Sequence, residues 1–372
     1  MPKTILMVSK PVVPPWNDSA KNLVRDVVRA SRRHSYRVLV TRGSPFDGER
    51  ERVTSAEIYG DAGAYTPGLA QNARVLAHLA LGPRADVVHY FFAPNPRTST
   101  IARFVGVVRR RPSIQTVCSA PRDFTDARRI LFADLVVVLS EQTRRRFVEA
   151  GIDEGRVRLI RPCIFPFSPP DPRDRAAARA RFAGTDDRPV ILFAGDYQFS
   201  TAAETVARAV ASVVAERPAR FVFACRIKQE ASRLEQRRIE ELLAASGVLD
   251  HVRFWNEVDD MPSLLGATDL IVMPAESLYA KMDVPLVLLE AMSLGVPIVV
   301  SDVPPLSELH SPEIGAAVPP GDPAALARAV LDILGDPGRL RAMGEAARSV
   351  VRERFSPDVV ARAYENLYDE VA

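Results

Sequence analysis

Short apolar runs alternate along this chain with longer stretches in which apolar residues recur every three or four positions. TILMVS, YRVLVT, DVVHYFF, IQTVCS and DLVVVLS have strand length in the first half, and helical spacing lies between several of them, over 22–33, 97–110 and 141–150. Short apolar runs bounded by polar residues suit strands buried on both faces. Their alternation with helices predicts a doubly wound, mostly parallel α/β sheet.

The alternation stops at RPCIFPFSPPDPRD, residues 161–174, where five prolines fall in fourteen residues. Proline removes a backbone donor and fixes φ, so this stretch continues neither a helix nor a central strand and reads as a linker. Beyond it PVILFAG, ARFVFAC, HVRFW, DLIVMPA and VPIVVSD predict a second set of strands. Helical spacing covers 202–216 and 229–246, and three helices over 322–334, 337–353 and 356–371 close the chain. The prediction is two Rossmann-like domains in tandem, 1–165 and 166–355. Ligands of such sheets bind at the carboxyl ends of the strands, and an interdomain cleft is the default site. The last helix, after the break at Pro357, sets Val359, Val360, Tyr364, Leu367 and Tyr368 at roughly helical spacing and must pack one face.

Length and composition agree: 372 residues exceed one ordinary core, and 47% hydrophobic with 26% charged residues is globular composition. No run approaches the roughly 18 apolar residues of a membrane helix. The opening MPKTILMVSKPVV reads as a strand, too short for a signal-peptide core. A cytoplasmic location is therefore expected. Cys118, Cys163 and Cys225 are odd in number and widely spaced, which excludes a C-x-x-C metal site and a disulfide framework. The net charge of +3 hides an asymmetry: residues 1–165 hold 27 Lys and Arg against 15 Asp and Glu, the remainder 22 against 31. The basic half is either a set of solvated helix faces or a surface for an anionic acceptor or the inner face of a membrane. No nucleic-acid partner is expected.

Chemistry concentrates in KMDVPLVLLEAMSLGVPIVVSD, residues 281–302, where Lys281, Asp283 and Glu290 stand in and around an apolar run. Buried carboxylates are costly unless paired or bound. Glu290 is either a helix carboxylate paired to a nearby arginine or a ligand-binding group.

The segment 250–308, with DLIVMPA and then DVPLVLLEAMSLGVPIVVSDVPPLSEL, closely resembles family 4 glycosyltransferases. GAAVPPGDPAALARAVLDIL and RERFSP extend the resemblance, and ADLVVVLSEQTRRRFVEAGI carries it into the first half. The similarity runs in order along nearly the whole chain and is dense between 250 and 355. It implies the GT-B fold, two Rossmann-like domains facing an interdomain cleft, with the last helix (356–372) crossing back onto the first domain. It implies a retaining, metal-independent transfer of a sugar from a nucleoside-diphosphate sugar to an acceptor hydroxyl, with no cofactor beyond that donor. No DxD run stands near a strand end, which fits metal independence. The acceptor is left open among sugars, lipid-linked groups and small molecules.

The resemblance also assigns residues. Glu290 accepts from the ribose hydroxyls of the donor, as a carboxylate with two acceptor oxygens suits a diol. The backbone around Val284, Pro285 and Leu286, where a helix begins, faces the diphosphate. The family's second glutamate, eight residues earlier, is Met282 here. The sugar contact then shifts to the neighbouring Asp283, whose rival reading is a helix cap. The family's loop arginine and lysine fall at Asp196 and Thr201, so both cations are missing. Arg226, Lys228 and Lys281 are the replacement candidates, each otherwise a surface cation. The usual glycine pair after the first strand is absent from PVVPPWNDSAKN, where Asn17 and Ser19 become donor contacts. The family's first-domain histidine is Cys118. His89, at the end of another strand, is either a remaining cleft histidine with a catalytic role or a satisfied core residue. Two further readings stand beside the transferase. One is a degenerate GT-B protein acting as a binding or scaffold subunit, which the lost glycines, histidine and cations suggest. The other is a GT-B nucleotide-sugar epimerase.

Overall fold

The computed structural model describes residues 1–16, 18–60, 68–91, 96, 99–100, 102–103, 111–227, 229–279 and 281–371. The chain divides into two compact units. The first comprises Met1–Phe165, Tyr279–Val284 and Arg354–Ala372, and the second Pro166–Leu278 and Pro285–Glu353. The sequence-based boundary at 166–355 therefore differs at two places: six residues from the middle of the second half belong to the first unit, and so do Arg354 and Phe355.

The first unit holds β1 (Thr4–Val8), β2 (Ser35–Thr41), β3 (Val53–Tyr59), β4 (Val87–Phe91), β5 (Ser113–Val117), β6 (Leu135–Val138) and β7 (Val157–Leu159). They form one parallel sheet in the order β3-β2-β1-β4-β5-β6-β7. The expected Rossmann-like sheet is present, with two edge-side strands the apolar pattern did not pick out. β3 lies in the polar stretch 43–68, which reads as a loop; only every third of its residues is buried. β7 has three residues. Its helices are α1 (Ser19–Ala30), α2 (Leu69–Leu81), α3 (Ala127–Ile130) and α4 (Glu141–Glu149). α1 begins where the Asp18 carboxylate accepts the backbone N–H of Ala20 and Lys21, and it buries Leu23, Val24, Val27 and Val28. The expected helix over 97–110 falls largely outside the described residues.

The second unit holds β8 (Val190–Phe193), β9 (Arg220–Ala224), β10 (Val252–Trp255), β11 (Leu270–Met273), β12 (Ile298–Ser301) and β13 (Gly315–Val318). They form a parallel sheet in the order β10-β9-β8-β11-β12-β13. β13 starts on glycine for a physical reason: a Cβ on Gly315 would lie 1.8 Å from the carbonyl oxygen of Ile298. Around the sheet run α5 (Pro172–Phe182), α6 (Ala202–Glu216), α7 (Glu230–Ala245), α8 (Met261–Ala267), α9 (Leu286–Ser293), α10 (Pro323–Gly335) and α11 (Pro337–Arg354). α5 begins inside the proline-rich stretch, with Pro172 in its first turn and the Asp171 carboxylate accepting from Asp174 N–H at 2.8 Å.

The last helix, α12 (Pro357–Val371), is part of the first unit. Tyr364 and Tyr368 are fully buried, and the nearly buried Glu365 carboxylate accepts the backbone N–H groups of Arg32 and Arg33, each at 2.7 Å. Lys3 Nζ donates to the carbonyl of Tyr368 at 2.9 Å, tying the first strand's entry to the chain's last turns.

Candidate functional site

In a doubly wound sheet the crevice opens outside the carboxyl ends of the strands where the order reverses. In the second unit that point lies between β8 and β11. Residues 194–201 connect β8 to α6, and residues 274–285 follow β11 and lead to α9.

Helix starts in this unit fall into two groups. α5, α8 and α10 are capped by Asp171, Asp260 and Asp322, each accepting a first-turn N–H. α6, α7 and α9 have Thr201, Gln229 and Pro285 at the cap position and no side-chain cap from that residue. These three follow β8, β9 and β11, which are neighbours in the sheet. First-turn N–H groups with no cap of their own are what an anion at the carboxyl edge requires.

α9 is buried along Leu286, Leu288, Leu289, Ala291 and Met292, while Val287 and Glu290 are half-buried. Those two stand three apart and share a face. Glu290 is the helix's one carboxylate. Its carbonyl accepts the Ser293 hydroxyl at 2.7 Å, and Ser293 Oγ in turn accepts the N–H of Phe167 at 3.2 Å. The helix is thereby held from behind its Glu290 turn. Val284 and Leu286, on either side of Pro285, are buried.

Arg226 is exposed just beyond β9. Lys281 is half-buried within the segment assigned to the first unit. Lys228 and Asn17 lie outside the described residues. Ser19 is half-buried as the first residue of α1, but the cap of that helix is Asp18, which also pairs with Lys10 at 2.7 Å.

Two expectations are corrected. Asp283 is 1% exposed, and its carboxylate is taken up inside the first unit. Oδ1 accepts Ala120 N–H at 3.0 Å, while Oδ2 accepts the hydroxyls of Ser140 and Thr143 at 2.8 and 2.5 Å. Its own N–H donates to the Cys118 carbonyl at 3.2 Å. Ser140 is the cap of α4, so Asp283 sits at the positive end of that helix. The carboxylate therefore makes neither the expected sugar contact nor a cap of α9, whose cap position is Pro285; its partners are protein groups inside the first unit. His89 is fully buried, with Nδ1 2.7 Å from the Tyr368 hydroxyl and Nε2 2.7 Å from Thr116 Oγ1. Both ring nitrogens are satisfied by protein, and burial pushes its pKa well below the usual histidine value, so it is a neutral core residue. Cys118 is buried, and burial pushes its thiol up, away from thiolate chemistry.

The structure shows what the two positions without cations do and adds Glu276, which the sequence did not single out. Asp196 Oδ1 accepts the N–H groups of Gln198 and Phe199 at 2.9 and 2.8 Å, shaping the loop after β8. At the start of α6, Glu276 from the loop after β11 accepts Thr201 N–H at 2.9 Å and its hydroxyl at 3.0 Å. Gln198, Phe199, Thr201 and Glu276 border a cavity of ≈ 320 Å³ whose charged lining is Glu204, Glu235 and Glu276. The missing cations were legible at positions 196 and 201; the partner Glu276 carried no sequence signal.

Residues 188–336 match the family model described as glycosyl transferases group 1. A GDP-mannose-dependent monoacylated alpha-(1-6)-phosphatidylinositol monomannoside mannosyltransferase of Corynebacterium glutamicum is 28% identical over 251 residues, 63% of this chain and 61% of that protein. A D-inositol 3-phosphate glycosyltransferase of Streptomyces bingchenggensis is 31% identical over 248 residues, 64% of this chain and 53% of that protein. The chain thus spans less than two thirds of the length of these relatives. Among solved structures, Anabaena HepE in complex with UDP and glucose superposes with a TM-score of 0.76 at 17% identity, covering 99% of this chain and 100% of that one. A glycosyltransferase from Rickettsia africae gives 0.76 at 17% identity, covering 100% and 98%.

Proposed function

We propose that this chain, which has the GT-B fold and carries a glycosyl transferases group 1 domain over residues 188–336, transfers a sugar from a nucleoside-diphosphate sugar to an acceptor hydroxyl with retention at the anomeric carbon. The observation that carries this reading is α9. It is buried nearly all round, starts without a side-chain cap, and presents one carboxylate, Glu290, on its half-buried face. The two Glu290 oxygens accept from a ribose diol, and the first-turn N–H groups of α9 take part of the diphosphate charge.

In the transfer, the acceptor oxygen bonds to the anomeric carbon as the bond from that carbon to the donor's phosphate oxygen breaks. The departing phosphate oxygen takes the acceptor's proton on the same face. Negative charge grows on the leaving diphosphate, and preorganised positive groups lower that barrier. Arg226, Lys228 and Lys281 are the proposed cations. His89 and Asp283 have no part, since protein partners already satisfy them.

For the acceptor, the basic composition of residues 1–165 favours an anionic molecule or one held at an anionic membrane surface. The names of the two relatives, an inositol phosphate enzyme and a phosphatidylinositol mannoside enzyme, support the same class. Among the described residues no helix is long and apolar enough to cross a membrane.

The test is calorimetric titration with UDP- and GDP-sugars on the wild type and Glu290→Ala, followed by turnover assays with inositol phosphate and phosphatidylinositol acceptors. Donor binding that Glu290→Ala abolishes, together with transfer, supports the reading. Wild-type donor binding by a folded Glu290→Ala protein overturns it. A binding subunit without turnover is the second reading, favoured by Asp196 and Thr201 standing where cations are expected; binding without hydrolysis or transfer selects it.

A further inference from the structure

The loop after β8 is arranged around carboxylates. Asp196 draws in the N–H groups of Gln198 and Phe199, and Glu276 draws in the N–H and hydroxyl of Thr201 at the start of α6. The two other carboxylates of the adjoining cavity are balanced by arginines: Glu204 pairs with Arg208 at 2.6 Å and Glu235 with Arg238 at 3.2 Å. Glu276 has no ion-pair partner among the described residues; its bonds go to Thr201 alone. Its carboxylate is exposed and hangs on a loop, so displacing it costs little packing.

We infer that Glu276 is an internal stand-in for a phosphate: it occupies the N–H and hydroxyl of Thr201, the cap residue of α6, in the donor site and sets the affinity of that site for the diphosphate. The inference rests on the proposed reading that the carboxyl edge of β8 and β11 receives the nucleotide. A diphosphate approaching that edge meets one unbalanced negative charge and must displace it to reach Thr201 N–H. The consequence is selective. A nucleoside, which carries no phosphate, is indifferent to Glu276, while the nucleoside diphosphate is bound less tightly than the fold allows. Donor and product share the diphosphate, so both are held less tightly, and the product's residence after transfer is shortened.

Glu276→Gln keeps an acceptor oxygen and the side-chain shape while removing the charge. Wild type, Glu276→Gln and Glu290→Ala are titrated with UDP, GDP, uridine and guanosine at low and at physiological salt. An exposed charge at a helix start changes affinity by about two- to fivefold. Glu276→Gln is expected to tighten the cognate nucleoside diphosphate by about that factor at low salt, to leave its nucleoside unchanged, and to lose part of the gain as salt rises. An unchanged ratio of diphosphate to nucleoside affinity, or weaker diphosphate binding, overturns the inference. The two failures separate cleanly. If Glu290→Ala weakens nucleotide binding and Glu276→Gln leaves the ratio alone, only the role of Glu276 is wrong. If no nucleotide binds, or Glu290→Ala binds it as the wild type does, the donor-site reading fails and this inference with it.

Discussion

Asp283 and Ser140 are 143 residues apart in sequence and hydrogen-bonded at 2.8 Å, with the carboxylate buried at the start of α4. A carboxylate that stands two residues from the Pro285 cap of α9 is thus spent on holding chain segments together inside the first unit. That relationship changes what a mutation there would report.

Asp283→Ala should destabilise the protein in the absence of any donor. It removes the acceptor for two buried hydroxyls and one half-buried backbone N–H and leaves all three donors unpaired, at a cost of about 2–4 kcal/mol. Urea unfolding followed by tryptophan fluorescence measures it. An unshifted midpoint combined with lost donor binding would return Asp283 to the sugar.

Arg226→Ala should weaken nucleoside-diphosphate binding and leave the bare nucleoside alone if this exposed cation beyond β9 has the proposed role at the phosphates. The difference should shrink with added salt. Equal losses for both ligands would place the diphosphate cation elsewhere.

His89 makes stability depend on pH in a defined direction. Its folded pKa lies below the ordinary value of 6.5 because burial disfavours the charged ring, so the unfolded chain binds the proton first. Its contribution is fully present above about pH 6.5 and is lost as pH falls below that value, down toward the folded pKa. Denaturation midpoints at pH 7.5 and 5.5 should therefore differ more in the wild type than in His89→Gln. Parallel losses in both proteins would assign the acid sensitivity to other groups.

Removing residues 356–372 should loosen the first unit. The deletion strips Tyr368 from His89 and the Glu365 carboxylate from two backbone amides after α1. Hydrogen exchange over residues 1–165 is the measurement. Unchanged protection of β1 and β4 would show that α12 contributes nothing to that sheet.

Much of the fold was readable because of how parallel strands are buried. β4, β6, β8, β11 and β12 are covered on both faces, so each stands out as an uninterrupted apolar run. Strands near the edges lose that signature. β3 is half-solvated, β7 is three residues long, and β13 opens on the small residues GAA. The cap of α1 by Asp18 and the one-sided face of α12 were likewise local properties.

The chain's sequence by itself determined the two alternating α/β series, the break between them, the apolar helix that carries Glu290, and the absence of cations at positions 196 and 201. All of these are set by neighbours within a few residues, where periodicity, proline and charge act directly. Only the tertiary structure decided the fate of Asp283 and His89. A carboxylate or an imidazole in an apolar run looks the same whether its partner is a ligand or the protein. The deciding groups, Ser140, Thr143, Thr116 and Tyr368, reach them through long-range packing. The meeting of Glu276 with Thr201 is of the same kind: two loops brought together because β8 and β11 are neighbours in a sheet whose strand order no local pattern records.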